Sequence, residues 1–259
     1  MFKESYLDRF FLQTWVWGLL FISIAVISVF TSFHPHYPNL IINILIPLFF
    51  FWLARKGTQL FVYVKIGTLI IPRIFAFAGF VGYMSGKSVV IGTIIFLAIN
   101  ILEAAIEDLK RKHYFSLIIA LLLMLCCVGV RGVWEDNRYV FVTSTSFIYF
   151  VVAYVIWNCN FILNQFSKAY FFFHLFVHAI PLLCAVVYGN VGYYLVFRAV
   201  SLLYAGQIHS YAKTYVENYF VSVKIDSLVK LLKKKAVQVT LFGVNTILVI
   251  LYFVEWGYG

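Results

Sequence analysis

Residues 115–127 read FSLIIALLLMLCC, thirteen residues without a charge. Apolar character continues beyond them to about residue 134, interrupted only by Arg131. A helix needs about 20 apolar residues to cross a hydrocarbon layer roughly 30 Å thick, so 115–134 reads as a membrane span. Eight further stretches of the same kind lie at 10–32, 38–54, 58–84, 88–106, 139–163, 169–189, 191–212 and 236–256. Their apolar runs are continuous, whereas barrel strands show about ten residues of alternation. The predicted fold is all-α: a polytopic helical membrane protein with about nine transmembrane helices, forming a single integral membrane domain over residues 1–259. The stretch 58–84 is the weakest of the nine because it carries Lys65, Pro72 and Arg73; it reads as one continuous span or, alternatively, as a kinked or broken helix.

Composition points the same way. The 259 residues are 63% hydrophobic, 20% aromatic and 12% charged. A soluble domain carries roughly 45–50% apolar and about 25% charged residues. That excludes a water-soluble enzyme, a nucleic-acid-binding domain and a disordered chain. The net charge of +10 therefore points to the lipid bilayer and its anionic headgroups as partner, and not to nucleic acid. The expected location is integral to a membrane, the plasma (inner) membrane.

Lysine and arginine mark the cytoplasmic side. With the N-terminus in the cytoplasm, Lys3, Arg9, Arg55, Lys56, Lys110, Arg111, Lys112, Lys168, Lys213, Lys224, Lys230 and Lys233 to Lys235 all fall inside. Only Lys87 and Arg138 fall outside, and Lys65, Arg73, Arg131 and Arg198 lie within spans. This alternation predicts a cytoplasmic N-terminus and a C-terminus outside. The first span has no small-residue cleavage site and reads as a signal anchor. In 213–235, Val221, Ile225, Leu228 and Leu232 recur at helical spacing among lysines, so this segment reads as a basic amphipathic helix on the inner leaflet, bound to anionic lipids. No internal repeat is visible, which disfavours inverted-repeat transporter folds. Cys126, Cys127, Cys159 and Cys184 all sit within spans without CxxC spacing and read as small buried hydrophobes.

Ionisable groups at membrane depth cost several kcal/mol and avoid lipid, so they mark the inside of a bundle. Asn100, Glu103 and Glu107 share a face near the inner end of the fourth span, with Asp108 and His113 beyond them. Asn158 lies near the inner end of the sixth span, His174 and His178 at i, i+4 in the seventh, and His209 near the inner end of the eighth. Glu103, Glu107, Asn158, His174, His178 and His209 are therefore expected to form one polar, substrate-binding site in the cytoplasmic half. His174, His178 and Glu103 are its candidate metal ligands, with a divalent metal as the candidate cofactor. Without metal, a carboxylate and an imidazole there form an acid–base pair suited to a proton-coupled carrier or to hydrolysis. Hydrogen bonding between helices is the structural alternative. Six histidines, two of them (His34, His36) outside, are too few for a membrane desaturase.

Lys65 and Arg73 share the third span with Pro72, Pro181 interrupts the seventh, and Arg198 lies about two turns from the outer boundary of the eighth. Breaks beside charges are where carriers bind substrates, so these residues predict a cationic lining for an anionic substrate. Arg131 and Glu135, four apart, offer a helical ion pair near the outer surface, and Gly79, Gly82 and Gly86 read as close-packing positions. No nucleotide-binding loop or nucleophile–base arrangement is visible. The leading expectation is a transporter or channel for a small anionic solute. The alternative is an intramembrane enzyme, metal-assisted or not, acting on a lipid or isoprenoid at the inner leaflet. The third is a non-catalytic subunit, with a homo-oligomer or a partner membrane subunit as its assembly.

Overall fold

The structure is a computed structural model that describes residues 6–54, 60–165, 168–219 and 223–258. It is mostly helical (84%). In chain order come α1 (Tyr6–Phe33), a π-helix (Asn39–Leu45), α2 (Ile46–Ala54), α3 (Leu60–Phe80), α4 (Gly86–Lys110) and α5 (Tyr114–Cys126). A hairpin of β1 (Gly132–Glu135) and β2 (Arg138–Phe141) follows, then α6 (Thr145–Gln165), α7 (Lys168–Val187), a 3-10 turn (Val191–Tyr193), α8 (Tyr194–Tyr219), α9 (Val223–Leu232) and α10 (Lys235–Tyr258).

Among the described residues, α4, α6 and α10 are long and apolar enough to cross a membrane. Shorter apolar stretches run over Gly18–Phe33, Asn39–Leu53, Tyr114–Cys126 and Phe173–Val187. The distribution of polarity is that of a protein in lipid. Trp15, Leu19, Ile22 and Val26 form an outward stripe along α1, each 60% exposed or more, while Ser28, Thr31 and Ser32 of the same helix are buried. Exposed apolar and buried polar side chains on one helix invert the pattern of a water-soluble fold.

The largest core packs α4, α5, α6 and α10 against each other and against the start of α8. Trp157 of α6 donates its indole N–H to the Ser116 carbonyl of α5 at 3.1 Å. Helix α4 ends in a Schellman motif. Lys112 adopts φ 60, its N–H bonds the Leu109 carbonyl at 3.1 Å, and the His113 N–H bonds the Asp108 carbonyl at 2.9 Å, which satisfies two otherwise orphaned carbonyls.

Three sequence expectations are corrected. The expected span 115–134 is not one helix. Helix α5 has 13 residues, about 20 Å at 1.5 Å per residue, and the chain then turns into β1. The mostly helical, all-α fold thus carries one short hairpin, and the expected span 139–163 opens as β2. The sequence EDNR explains the hairpin: Asp136 and Asn137 take φ 49 and 58, the two left-handed positions of a type I′ turn, and Trp134 pairs with Tyr139 across it. Arg131 and Glu135 consequently share no helix. Within the stretch 58–84, α3 runs from Leu60 to Phe80 through Pro72 as a single helix. Within the segment 213–235, α8 extends to Tyr219, α9 runs over Val223–Leu232, and α10 begins at Lys235 after a turn at 233–234. Residues 220–222, Val221 among them, and the side chains of 212–227 lie outside the described residues. Of the described side chains there, Lys230 and Lys233 to Lys235 are exposed, Leu228 is exposed and Val229 is buried.

Candidate functional site

Polar groups from seven elements converge beside the hairpin. A cavity of about 70 Å³ is lined by α1, the π-helix, α3, α4, β2, α6 and α8. Its basic lining consists of Arg73, on α3, and Arg198, on α8, at 6% and 2% exposure. Tyr139 of β2, Tyr154 of α6 and Asn39 of the π-helix complete the polar wall, with Thr68 and Asn100 beside them.

Local sequence explains each placement. Pro72 has no N–H to donate, so the helix carbonyl of Thr68 is released from its usual bond. The adjacent Arg73 carbonyl accepts from the Asn39 side chain at 3.0 Å. Asn39 in turn accepts from Asn43 at 3.1 Å, and the Tyr204 hydroxyl of α8 donates to the Ile42 carbonyl at 2.8 Å. The wide π turn is thus tied to α3 and α8, in keeping with the occurrence of such turns at functional sites. The Arg73 guanidinium donates to the Val196 carbonyl. Arg198 Nη1 lies 3.4 Å from the Ser201 hydroxyl and its Nη2 lies 2.8 Å from His178 Nε2.

The hairpin contributes Tyr139 and Phe141 to the cavity lining. It is seated tightly. A Cβ on Gly86 would stand 2.7 Å from the Trp134 ring of β1, and one on Gly79 would stand 3.2 Å from it. A Cβ on Gly192 would fall 2.0 Å from the Phe141 carbonyl oxygen. Thr143 links the two flanks, donating to the Asn190 side chain at 2.9 Å and accepting from the Gly192 N–H at 3.0 Å. Arg138 lies 5.2 Å from the Phe33 ring centroid, a cation–π approach.

Among the described residues, no carboxylate lies within ion-pair distance of Arg73 or Arg198. The Nε of each arginine and the Tyr139 hydroxyl are buried and have no acceptor among the described residues. Lys65 differs. Its Nζ lies 3.3 Å from Glu103 Oε2 and donates to the Asn100 carbonyl at 3.0 Å, so its charge is offset. Thr68 Oγ1 lies 3.4 Å from the same carboxylate. The cavity therefore offers N–H and O–H donors and two guanidinium groups that no carboxylate among the described residues offsets, an arrangement whose chemistry is complementary to an anion.

The six residues expected to form one cytoplasmic site have the following surroundings. Glu103 faces Lys65 and Thr68. Glu107 pairs with Lys110 at 2.6 Å near the helix end. Asn158 donates to the Tyr154 carbonyl of its own helix at 2.9 Å. His178 binds Arg198, which the sequence had assigned to the opposite half. Both His174 and His178 are buried, and His209 is partly exposed. Among the described residues no three His, Cys, Asp or Glu side chains lie close enough to share a metal ion, so the set His174, His178 and Glu103 is not assembled.

Sequence reasoning missed Tyr139, Asn39, Thr68 and the role of Asp108. Asp108 is fully buried and accepts from Gln165 of α6 at 3.2 Å, with His113 Nδ1 at 3.6 Å. It locks the ends of α4 and α6 together. The Asp–Asn turn was the legible signal for the hairpin and so for Tyr139. Compared with known proteins, the chain matches no family model, no curated protein and no solved structure.

Proposed function

We propose that this chain is a multi-pass membrane transporter or channel for a small anionic solute, and that the cavity between Arg73 and Arg198 is its binding site. One observation carries this reading: two buried guanidinium groups line one cavity, and among the described residues no carboxylate lies within ion-pair distance of either. An uncompensated buried charge is expensive, and a polypeptide retains two of them most readily where an anion supplies the balance. The lining spans seven elements, so ligand binding couples helices far apart in sequence. The hairpin contributes to this lining.

In this reading the chain crosses the bilayer nine times, with α1, the π-helix and α2 together, α3 to α8 and α10 as the crossings. The N-terminus is cytoplasmic, the C-terminus and the hairpin are outside, and the membrane is the plasma (inner) membrane. Exposed Lys230 and Lys233 to Lys235 near exposed Leu228 support a contact of this segment with anionic lipids on the cytoplasmic side, worth about 1 kcal/mol per lysine. Thiol labelling of single cysteines introduced at Asp136 and at Lys234 tests the orientation, since only the former should react from outside.

The function is tested by reconstituting the purified chain in liposomes and measuring uptake of small anions and cations. Saturable anion uptake that is lost in Arg198→Gln while the fold is retained is the expected result. Uptake of cations only, or no flux alongside activity on a lipid substrate or obligate assembly with another membrane subunit, overturns it.

A further inference from the structure

We infer that the anion held between Arg73 and Arg198 is hydrogen phosphate, and this rests on the anion-site reading above. Four observations narrow the ligand. The first is charge. Arg73 and Arg198 contribute two positive charges without a neighbouring carboxylate. Lys65 is offset by Glu103 at 3.3 Å. His178 accepts from Arg198 through Nε2, so it is neutral, and a proton on His174 would only add to the excess. A divalent anion balances this site, whereas chloride or a monocarboxylate leaves one cation uncompensated.

The second is shape. The forked guanidinium matches the oxygens of a carboxylate or phosphate better than a spherical halide. The third is size. The cavity of about 70 Å³ is far smaller than the roughly 300–1,000 Å³ of sites that hold drug-sized ligands, which suits a small inorganic oxyanion.

The fourth separates phosphate from sulfate. Thr31, Ser32 and Thr93 line the same cavity. Each hydroxyl gives its proton to a carbonyl of its own helix: Thr31 to Ile27 at 2.7 Å, Ser32 to Ser28 at 2.6 Å and Thr93 to Val89 at 2.8 Å. Their oxygens are left as acceptors. Arginine N–H groups and the Tyr139 hydroxyl supply donors to bare phosphate oxygens, and the spent hydroxyls accept the remaining P–OH. Sulfate has no proton to offer them. The small volume favours free phosphate over the phosphomonoester of a lipid headgroup, whose glyceride would have to leave the cavity.

The experiment measures thermal shift and titration calorimetry of the purified full chain in detergent with potassium phosphate, sulfate, acetate and chloride. A parallel arm uses vesicles of phosphatidylcholine with and without phosphatidic acid. Phosphate should bind about tenfold more tightly than sulfate or acetate, since a site built for a hydrogen bond rejects the analogue that lacks it. Arg198→Lys should weaken phosphate about tenfold by removing the fork, and Thr93→Val should narrow the phosphate-to-sulfate ratio while sulfate affinity stays. Sulfate or chloride binding as tightly as phosphate overturns the assignment but leaves an anion site. Phosphatidic acid binding without inorganic phosphate overturns it in favour of a lipid headgroup. No response to any anion by a folded protein overturns both this inference and the anion-site reading.

Discussion

Arg198 Nη2 on α8 lies 2.8 Å from Nε2 of His178 on α7. Arginine only donates, so His178 accepts at Nε2 and holds its proton on Nδ1, which is buried without a partner. The contact fixes the histidine tautomer and turns one edge of the guanidinium away from the cavity.

Replacing His178 by Leu leaves a buried guanidinium N–H without its acceptor. A hydrogen bond to a charged group is worth about 1.5–3 kcal/mol, and that loss should appear as a lower Tm. His178→Gln keeps an acceptor and should recover most of it. Equal losses in the two variants would show that the contact does not carry the effect.

Lys65 and Glu103 form a largely buried pair on facing helices, 3.3 Å apart. Glu103→Leu alone strands the ammonium and should cost about 3–5 kcal/mol. Lys65→Met with Glu103→Leu should restore much of this, because two apolar side chains suit the surroundings. A double-mutant cycle in denaturant measures the coupling, and additive single effects would contradict the pairing.

The hairpin depends on Gly192. A methyl there meets the Phe141 carbonyl oxygen at 2.0 Å, a main-chain atom held in β2. Gly192→Ala should destabilise by about 1–3 kcal/mol and free the hairpin for proteolysis. Gly243 on α10 has nothing within 4 Å of its Cβ position. Gly243→Ala should leave the hairpin intact and raise stability by about 0.5–1 kcal/mol through helix propensity.

Tyr139 predicts the alkaline behaviour. Burial pushes its phenol well above the usual tyrosine range, nearby Cys127 adds to this, and Arg73 opposes it. An unfolded phenol ionises near pH 10, about the reference value, while the folded one keeps its proton. The unfolded state then binds fewer protons, so stability declines as pH rises above about 10. Tyr139→Phe should remove part of that decline in Tm. Near neutral pH it should change ligand-free Tm little, because the hydroxyl has no acceptor among the described residues, yet it should weaken anion binding severalfold by deleting a donor. An unchanged affinity in Tyr139→Phe would remove Tyr139 from the site.

The cationic lining was legible in part. Arg73 and Arg198 announced themselves as charges inside apolar stretches, and the depth cost alone said they face protein. Lys65 belonged to the same reading, but its charge is spent on Glu103, since an acid and a base on facing helices find one another before either finds a more distant histidine. Depth along separate helices gives a level and not a direction, and Glu107, with Lys110 three residues away, needs no partner from another helix. The hairpin was hidden because VWEDNRYVF was read for hydrophobicity, when its Asp–Asn pair carried the turn.

The amino-acid sequence alone determined that the chain is helical and that its outer surface is apolar, because hydrophobic content and run length are properties of consecutive residues. It also determined that a few cations must be sheltered. Which of them share a cavity was decided only by the tertiary structure. The approach of Arg73 to Val196, the turn of β2 into the bundle and the meeting of α7 with α8 depend on rotation and register between distant helices, and no local pattern encodes those.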